Sequence, residues 1–352
     1  GMQLHLKNRK EKEQLIMSRI KTCVSLYSLQ NEYMTKNMSL EDIFRFMQEN
    51  SVDGVEILPD QMMHGTPHPS EETLAEWDRL CRGYGIKPVI ADVFLNTNLY
   101  KNRALTHKES IELLIKEIKQ ADRLGIRLIR LVSMVPDWVI EPLLPYCEKY
   151  NVTIALEIHA AMAFDIAETQ AFIREMKRVN SPYVGLVIDT GIFCRKFPRV
   201  VRAYETLNGT SPQVFDYIDT LFEKGTDLHR VLAENEYQNP PELEEAIQSE
   251  HDRMFVPLCD GYENYKYEVL DEYMPYIRHF HFKLFEMTPE GPEYSMDYKG
   301  LLQYLHDHDY DGYVATEYEG NRFTLPGKAM AEKEQVAAQL DYINQCLKEI
   351  QG

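Results

Sequence analysis

The sequence lacks the features that mark membrane proteins, disulfide-rich secreted proteins and nucleic-acid-binding proteins. Its 352 residues hold only six cysteines, which are scattered and form no Cys-x-x-Cys pair, so neither a disulfide framework nor a zinc site of that type is expected. No apolar run approaches the roughly 20 residues that a membrane-spanning helix needs. Lysine and arginine (38) are outnumbered by aspartate and glutamate (56), which gives a formal net charge of −18. A surface of this sign repels phosphate backbones, so nucleic acid is not an expected partner.

The N-terminal segment also lacks the apolar central region of a signal peptide. Residues 1–19 read GMQLHLKNRKEKEQLIMSR and are rich in charge. Together with the scattered, unpaired cysteines, this predicts a cytoplasmic protein without membrane association. Residues 1–20 are interpreted as an N-terminal extension and residues 21–352 as a single domain.

The sequence does contain a repeated alternation of strand and helix patterns. Eight β-rich runs recur, namely TCVSLYS from Thr22, GVEIL from Gly54, KPVIADVF from Lys87, RLIRLVS from Arg127, VTIALEI from Val152, VGLVID from Val184, IRHFHFK from Ile277 and GYVATE from Gly312. Amphipathic helical patterns lie between most of them. Eight such units, most of about 30 residues, predict a (β/α)8 TIM barrel. A doubly wound open sheet is the structural alternative, but that fold rarely uses eight regular units.

One interval between strands is much longer than the others. The sixth and seventh runs start 93 residues apart, which makes residues 195–276 a long insertion after strand 6. In a TIM barrel, long loops that follow strands lie at the C-terminal face, over the active site. The insertion is therefore interpreted as a lid or a partner surface, with an elaborated surface loop as an equal alternative.

The last four predicted strands each carry a chemically active side chain near the end of an apolar run. These side chains are Glu157, Asp189, His281 and Glu317. Adjacent strands lie about 4.8 Å apart, so the four groups converge. Three carboxylates at one place raise each other's pKa unless a cation neutralises them. A hard, oxygen-rich set with one histidine suits one divalent ion, for which Mn²⁺ is the first expectation and Mg²⁺, Co²⁺ and Zn²⁺ are alternatives.

Other polar residues accompany this set. His159 shares a strand face with Glu157 and lies one step closer to the mouth, as a base, a hydrogen-bond donor or a loop residue. A buried Arg130 requires a carboxylate partner, for which Glu56 is one candidate. Asp92 is a weaker candidate site residue. The side chains expected to bind substrate are Lys283, Glu56, Arg130 and Asn96.

These motifs resemble the xylose isomerase-like TIM barrels, a family of sugar isomerases and epimerases that also includes inosose dehydratases and type IV apurinic endonucleases. The resemblance covers roughly residues 21–320 and rests on SLYSLQ, DGVEIL, LEIH, VIDTG, HFHFK and DGYVATEYEG. It implies that Glu157, Asp189, His281 and Glu317 hold one metal ion. His281 is preferred to His279 because family motifs place the ligand before x-Lys, and Glu317 is preferred to Glu319.

Two departures from the family pattern matter. Epimerases of the family usually carry a histidine three residues after the aspartate, and this sequence has Ile192 there. The second departure is the long insertion. The acidic composition and the absence of an obvious match to the endonuclease ligands argue against DNA repair.

The resemblance implies a metal-dependent sugar isomerase or epimerase that moves a proton next to a carbonyl through an enediolate, with Glu157 and Glu317 in acid–base roles. Lyases are the alternative, either inosose-type dehydratases or enzymes similar to the larger subunit of bacterial C-glycoside deglycosidases. In the latter, His159 would remove the proton beside the carbonyl of a 3-keto glycoside, and a small second subunit would be present. A non-catalytic binding barrel is the minor alternative. The expected substrate is a small sugar or glycoside, and a homo-oligomer is expected.

Overall fold

The computed structural model describes residues 3, 6, 19–95, 99, 101–259 and 261–352. Eight parallel strands form a closed barrel in sequence order. Their bounds are β1 Lys21–Ser25, β2 Gly54–Ile57, β3 Lys87–Val93, β4 Leu128–Leu131, β5 Thr153–Ile158, β6 Val184–Asp189, β7 Ile277–Leu284 and β8 Tyr313–Tyr318. Each predicted run overlaps one strand, so the expectation of a (β/α)8 barrel is confirmed.

Helices follow the strands on the outside of the barrel. They are α1 Gln30–Met34, α2 Leu40–Glu49, α3 Pro59–Met62, α4 Glu71–Tyr84, α5 His107–Arg123, α6 Ile140–Tyr150, α7 Ala167–Val179, α8 Arg199–Leu207, α9 Pro212–Glu223, α10 Leu228–Glu234, α11 Pro241–Ala246, α12 Glu250–Phe255, α13 Tyr298–Asp307 and α14 Glu332–Gln351. Ser39 and Thr106 begin α2 and α5 with reciprocal capping boxes. Gly85 ends α4 with φ +65°, a conformation that glycine adopts without steric cost. Local sequence signals therefore set several helix boundaries.

The segment between β6 and β7 contains the five helices α8 to α12. Its last part returns to the loop that directly follows β6. There the Cys194 N–H donates to the Glu263 carbonyl oxygen at 2.8 Å, and the Tyr265 N–H donates to the Ile192 carbonyl oxygen at 2.9 Å. Because this loop lies at the carboxyl end of a barrel strand, these contacts place residues 263–265 at the mouth of the barrel.

The barrel interior has an apolar layer with a polar layer above it. Ile90, Ala155 and Val187 pack together with no exposed surface. Two residues further along the same strands stand Asp92, Glu157 and Asp189, and side chains at i and i+2 share a strand face. The apolar layer is therefore the floor on which the polar groups of β3, β5 and β6 stand.

Within the described residues, no helix is long and apolar enough to cross a membrane. The predicted N-terminal extension, residues 1–20, lies outside the described residues except for positions 3, 6, 19 and 20.

An ion pair between a buried histidine and a solvent-exposed aspartate connects the insertion to the loop after β5. His229 Nε2 on α10 lies 3.2 Å from Asp165 Oδ2, and the Tyr265 hydroxyl donates to Asp165 Oδ1 at 3.0 Å. The hydrogen bond to Asp165 raises the pKa of His229 to about 8, against the opposing effect of burial. The same bond lowers the pKa of Asp165. This contact thus favours the protonated histidine beside the ionised carboxylate.

We expect this pair to make the protein less stable as the pH rises from 6.5 to 9. When folding raises the pKa of a histidine, the protonated side chain stabilises the folded state. This stabilisation is fully present below the unfolded pKa of about 6.5 and is lost as the pH rises past the folded pKa. The loss is at most about 2 kcal/mol for a shift of this size. Replacing His229 with glutamine should weaken the pH dependence of the free energy of unfolding. Urea unfolding at pH 6.0 and pH 9.0 measures this free energy.

Glu263 supplies the control for this experiment. Burial raises the pKa of Glu263 to about 8. Its ionisation therefore also destabilises the fold as the pH rises, so the His229→Gln protein should keep a smaller slope of the same sign. Adding Glu263→Gln should reduce the pH dependence further. Equal slopes in wild type and His229→Gln would contradict the assignment.

Candidate active site

Among the described residues, six carboxyl groups gather inside the barrel around two permanent cations, Arg130 and Lys283. The carboxylates belong to Glu56, Asp92, Glu157, Asp189, Glu317 and Glu319. All are buried except Glu319, whose side chain is 18% exposed. Such an excess of negative charge in a water-poor site attracts a further cation.

Glu56 lies at the bottom of this cluster with two histidines. His279 Nε2 is 2.8 Å from Glu56 Oε1, and His281 Nε2 is 2.7 Å from Glu56 Oε2. Burial alone would raise the pKa of Glu56, but His281 and His279 together hold it well below its usual value. In the sheet register, His279 is level with Val187 of the floor and His281 with Asp189. His279 is therefore the deeper histidine, as the sequence predicts.

The suggested pairing of Glu56 with Arg130 does not occur among the described residues. The reason is depth in the barrel. Glu56 is in register with Ile90 of β3, whereas Arg130 is in register with Asp92, two residues further along the same strand. Glu56 consequently meets the histidines of β7, and Arg130 finds other carboxylates.

Arg130 is buried between three carboxylates. Its Nε donates to Asp92 Oδ1 at 2.6 Å, its Nη1 donates to Glu157 Oε2, and Glu317 Oε2 lies 3.6 Å from the same nitrogen. Burial keeps the pKa of Asp92 well above its usual value despite the opposing charge of Arg130. Arg130 thus links β3, β5 and β8, and the expectation that it needs carboxylate partners is met by Asp92 and Glu157.

Lys283 occupies the other side of the cluster. Its Nζ lies 3.0 Å from Asp189 Oδ2, 2.5 Å from Glu317 Oε1 and 2.7 Å from Glu319 Oε1. Burial would lower the pKa of Lys283, but Asp189 and Glu317 hold it well above its usual value. Lys283 is therefore a fixed ammonium between carboxylates of β6 and β8.

His281 stands between the two halves of the cluster. Its Nδ1 lies 2.5 Å from Glu317 Oε2, on the side of the ring opposite Glu56. Burial lowers the pKa of His281, but the charges of Glu56 and Glu317 outweigh it and raise the value to about 10. A metal ion bound by this ring would displace a proton, since only the unprotonated nitrogen is a ligand.

His159 differs from the other site residues because it is partly open to solvent. Its side chain is 31% exposed, and its Nε2 lies 3.9 Å from Asp189 Oδ2. Its Nδ1 lies 2.6 Å from the Ala160 carbonyl oxygen. A carbonyl oxygen only accepts hydrogen bonds, so Nδ1 donates to it, and Nε2 is the ring nitrogen that faces the carboxylates. His159 thus places a ring nitrogen at the mouth of the barrel.

The loop that carries His159 is held by the insertion. Ala161 has φ +74°, and its N–H donates to Glu263 Oε1 at 2.7 Å. The Met162 N–H returns to the His159 carbonyl oxygen at 2.8 Å. A non-glycine residue with positive φ is strained and persists only where its surroundings fix it. The carboxylate of Glu263 is one such restraint, which sequence patterns did not suggest.

The residues fit a divalent metal ion. Asp189, His281 and Glu317 each offer one ligand atom within 4.8 Å of the others, and Glu157, His159 and Asp189 form a second group of this kind. Because Asp189 belongs to both groups, all four predicted ligands meet around one carboxylate. Carboxylate oxygens with one imidazole suit Mn²⁺, Co²⁺, Zn²⁺ or Mg²⁺.

One carboxylate oxygen also remains available to such an ion. Lys283 Nζ is near Asp189 Oδ2 but not in hydrogen-bond geometry, and no other residue of the described ranges donates to this buried oxygen. A buried acceptor without a donor is costly unless something else pairs with it.

The predicted site residues therefore converge, except for one residue that lies outside the described part of the chain. Glu157, Asp189, His281, Glu317, His159, Lys283, Glu56 and Arg130 all lie in or beside the cluster. Asn96, which was expected to bind substrate, lies outside the described residues. The cluster also includes Asp92, His279 and Glu319, which the sequence ranked lower.

Comparisons with known proteins agree with this geometry. The family profile described as xylose isomerase-like TIM barrel matches residues 44–346. The C-glycoside deglycosidase alpha subunit of Arthrobacter globiformis is 26% identical over 321 residues, covering 84% of this chain and 83% of that protein. The 3'-dehydrocarminate deglycosidase alpha subunit of a Microbacterium species is 26% identical over 311 residues, covering 84% of this chain and 87% of that protein.

Solved structures share the same architecture. A D-psicose 3-epimerase crystallised in the presence of D-fructose superimposes with a TM-score of 0.54, at 12% sequence identity, over 93% of this chain and 99% of that one. At this identity the likeness concerns the fold alone.

Proposed function

The chain belongs to the xylose isomerase-like TIM barrel family, and we propose that it is a divalent-metal-dependent enzyme that removes a proton from the carbon next to a sugar carbonyl. One observation carries this proposal. His159 Nε2 faces a buried carboxylate cluster at the mouth, while its Nδ1 donates to the Ala160 carbonyl oxygen. A base beside a cation-binding centre is what enolisation requires.

The residues of the cluster would have separate roles. Glu157, Asp189, His281 and Glu317 would hold the ion, which when bound supplies Lewis acidity to a carbonyl oxygen. His159 accepts the proton from the neighbouring carbon. The guanidinium of Arg130 holds Glu157, and so fixes a carboxylate on the same strand face as His159.

We propose elimination from an oxidised glycoside as the reaction. Removing the proton from C2 of a 3-keto glycoside lets its electron pair form a C1=C2 double bond. The C1–aglycone bond then breaks, its pair goes to the aglycone carbon, and that carbon gains a proton. The names of the relatives at 26% identity, which are deglycosidase alpha subunits, support this reaction over others of the family.

Sugar isomerisation or epimerisation, the first expectation from the sequence, is the second candidate. Glu157 on β5 and Glu317 on β8 both approach Arg130 Nη1, so their carboxylates lie close to one centre. Two carboxylates that reach opposite faces of a bound sugar would move a proton from one face of a carbon to the other. The partly exposed His159 has no required part in that reaction.

A solvent-exchange experiment separates the two candidates. The metal-loaded protein is incubated in D₂O with a 3-keto C-glucosyl flavone and, separately, with D-fructose. The proposal predicts deuterium at C2 of the keto glycoside and release of the flavone. Exchange into D-fructose alone would favour the isomerase. No exchange into either sugar, at full metal occupancy, would overturn proton removal beside a carbonyl.

The alpha-subunit names of the relatives also support a small second subunit for this protein. Proton exchange needs only His159 and the cluster, so we expect it from this chain alone. Co-expression with the gene product encoded beside it, followed by light scattering on the purified complex, tests for a defined assembly.

Loss of the Glu263 restraint is expected to slow proton exchange without removing the metal. Replacing Glu263 with alanine frees the Ala161 N–H, and a lost hydrogen bond of about 1.4 kcal/mol corresponds to about a tenfold lower rate. Glu263→Gln keeps an oxygen acceptor and should stay within about threefold of wild type. The exchange rate in D₂O, together with amide hydrogen exchange at residues 160–162, measures both effects.

An equally large loss in the glutamine variant would contradict this role. It would show that a property of the carboxyl group other than its hydrogen bond to the loop matters.

A further inference from the structure

An uncharged cavity opens at the barrel mouth beside the site. It has a volume of about 540 Å³ and is lined by residues 94–95 and 132–136. These residues follow β3 and β4 directly, the two strands that carry Asp92 and Arg130. Among the described residues, the lining contains phenylalanine, leucine, valine, methionine and proline, with one serine and no ionisable side chain.

The sheet register fixes how this cavity lies relative to the carboxylates. Asp92 pairs with Arg130, and the ladder continues with the Val132 N–H donating to the Val93 carbonyl oxygen at 3.2 Å. Phe94 and Val132 therefore lie one step above Asp92 and Arg130 on the same strand faces. Arg130 is in register with Ala155 on β5. Val132 follows Arg130 by two residues, as Glu157 follows Ala155, so Val132 and Glu157 lie at the same level of the sheet. The cavity thus begins at the height of the catalytic carboxylates, about 5 to 10 Å from Glu157 across one or two strands.

Two large apolar side chains in the cavity are exposed. Phe94 is 47% exposed and Met134 is 69% exposed. Met134 also has φ +79°, an uncommon conformation for a residue with a Cβ, which persists where function or surroundings require it. A polarisable methionine beside a phenylalanine, both open to water, forms a surface that flat aromatic groups cover well.

We propose that this cavity binds the aglycone of the substrate, and that the aglycone is a flat, uncharged aromatic group. The inference rests on the proposed elimination, because only a glycoside places an apolar group beside the reacting sugar. A sugar carbon held at the carboxylates directs a substituent at the neighbouring carbon outward to the height of Phe94 and Val132. The cavity lies within the size range of pockets for small organic ligands. A phosphate or acidic substituent would find no counter-charge among the described residues that line the cavity.

The test uses flavone as a probe of the cavity alone. The chain has two tryptophans, and one of them is Trp138, two residues after Pro136. Its ring stacks on His107 at a centroid distance of 3.6 Å, whereas Trp77 is buried. Flavone binding should therefore quench tryptophan fluorescence in wild type. Phe94→Ser and Met134→Asn should each weaken binding about tenfold, since each removes aromatic or sulfur contact.

These two variants leave the core intact because both side chains are largely exposed, and asparagine tolerates positive φ. Met254→Asn is the matched control, since Met254 on α12 is 66% exposed and does not line the cavity. Its flavone affinity should equal that of wild type. Failure of wild type to bind flavone, or equal affinities in all four proteins, would overturn the proposal.

The exchange assay with the 3-keto C-glucosyl flavone then separates the two proposals. Flavone binding that depends on Phe94 and Met134, without deuterium exchange, keeps the cavity assignment and rejects the elimination. Exchange without such binding keeps the reaction and rejects the aglycone site.

Discussion

Replacing His159 with asparagine is expected to lower the rate of deuterium exchange by about a thousandfold, within the range of general base catalysis. The asparagine amide can still donate to the Ala160 carbonyl oxygen, as the Nδ1–H of the histidine does. Asparagine has no basic nitrogen at the position of Nε2. The substitution therefore preserves the loop conformation and removes the base. The rate of exchange at C2 of the 3-keto glycoside, at matched metal content, measures the effect.

The control for this substitution is His229→Gln. His229 also pairs with a carboxylate, Asp165, but it lies on the insertion helix α10, and its loss should change the exchange rate less than about threefold. A His159→Asn protein with the wild-type rate would instead assign the base to Glu157 or Glu317. That result would favour the isomerase chemistry expected from the sequence over the elimination.

The barrel was predictable because its signals are local. Each strand is a short apolar run, and each helix repeats its apolar positions along one face, so neither assignment needs contacts between distant residues. The convergence of Glu157, Asp189, His281 and Glu317 followed from the same rule, since parallel strands of a barrel end at one face.

The depth of each side chain was not predictable. Glu56 was a suggested partner of Arg130, yet it is in register with Ile90, two residues before Asp92, and the strand register is irregular between Val55 and Glu56. A second shift, between Leu186 and Val187, sets the height of β7 against β6. Such shifts arise from packing between strands, and a single strand's sequence does not contain them.

Asp92 and Glu263 were underrated for different reasons. Asp92 had a usable signal, since it follows Ile90 by two residues and therefore shares a face with the floor. Glu263 had none, because its contact with Ala161 spans 102 positions of the chain and depends on how the insertion returns to the barrel.

The strongest test of the metal assignment compares two neighbouring glutamates of β8 and its loop. Glu317 and Glu319 both contact Lys283 Nζ, at 2.5 Å and 2.7 Å. Among the described residues, however, only Glu317 also shares a candidate ligand group with Asp189 and His281. The two side chains thus have the same charge and the same cation partner, but different expected roles.

Glu317→Gln is expected to weaken metal binding at least about a hundredfold, since even indirect partners of metal ligands change affinity by 10- to 100-fold. Glu319→Gln should leave affinity within about tenfold, because Glu319 acts only through Lys283. Titration of the metal-free proteins with Mn²⁺ and with Zn²⁺, followed by calorimetry, measures both constants and ranks the ions. The reverse order of the two variants would move the fourth ligand from Glu317 to Glu319. Equal, small effects in both would leave Lys283 as the cation that neutralises these carboxylates, because its ammonium already lies within 3.0 Å of Asp189, Glu317 and Glu319.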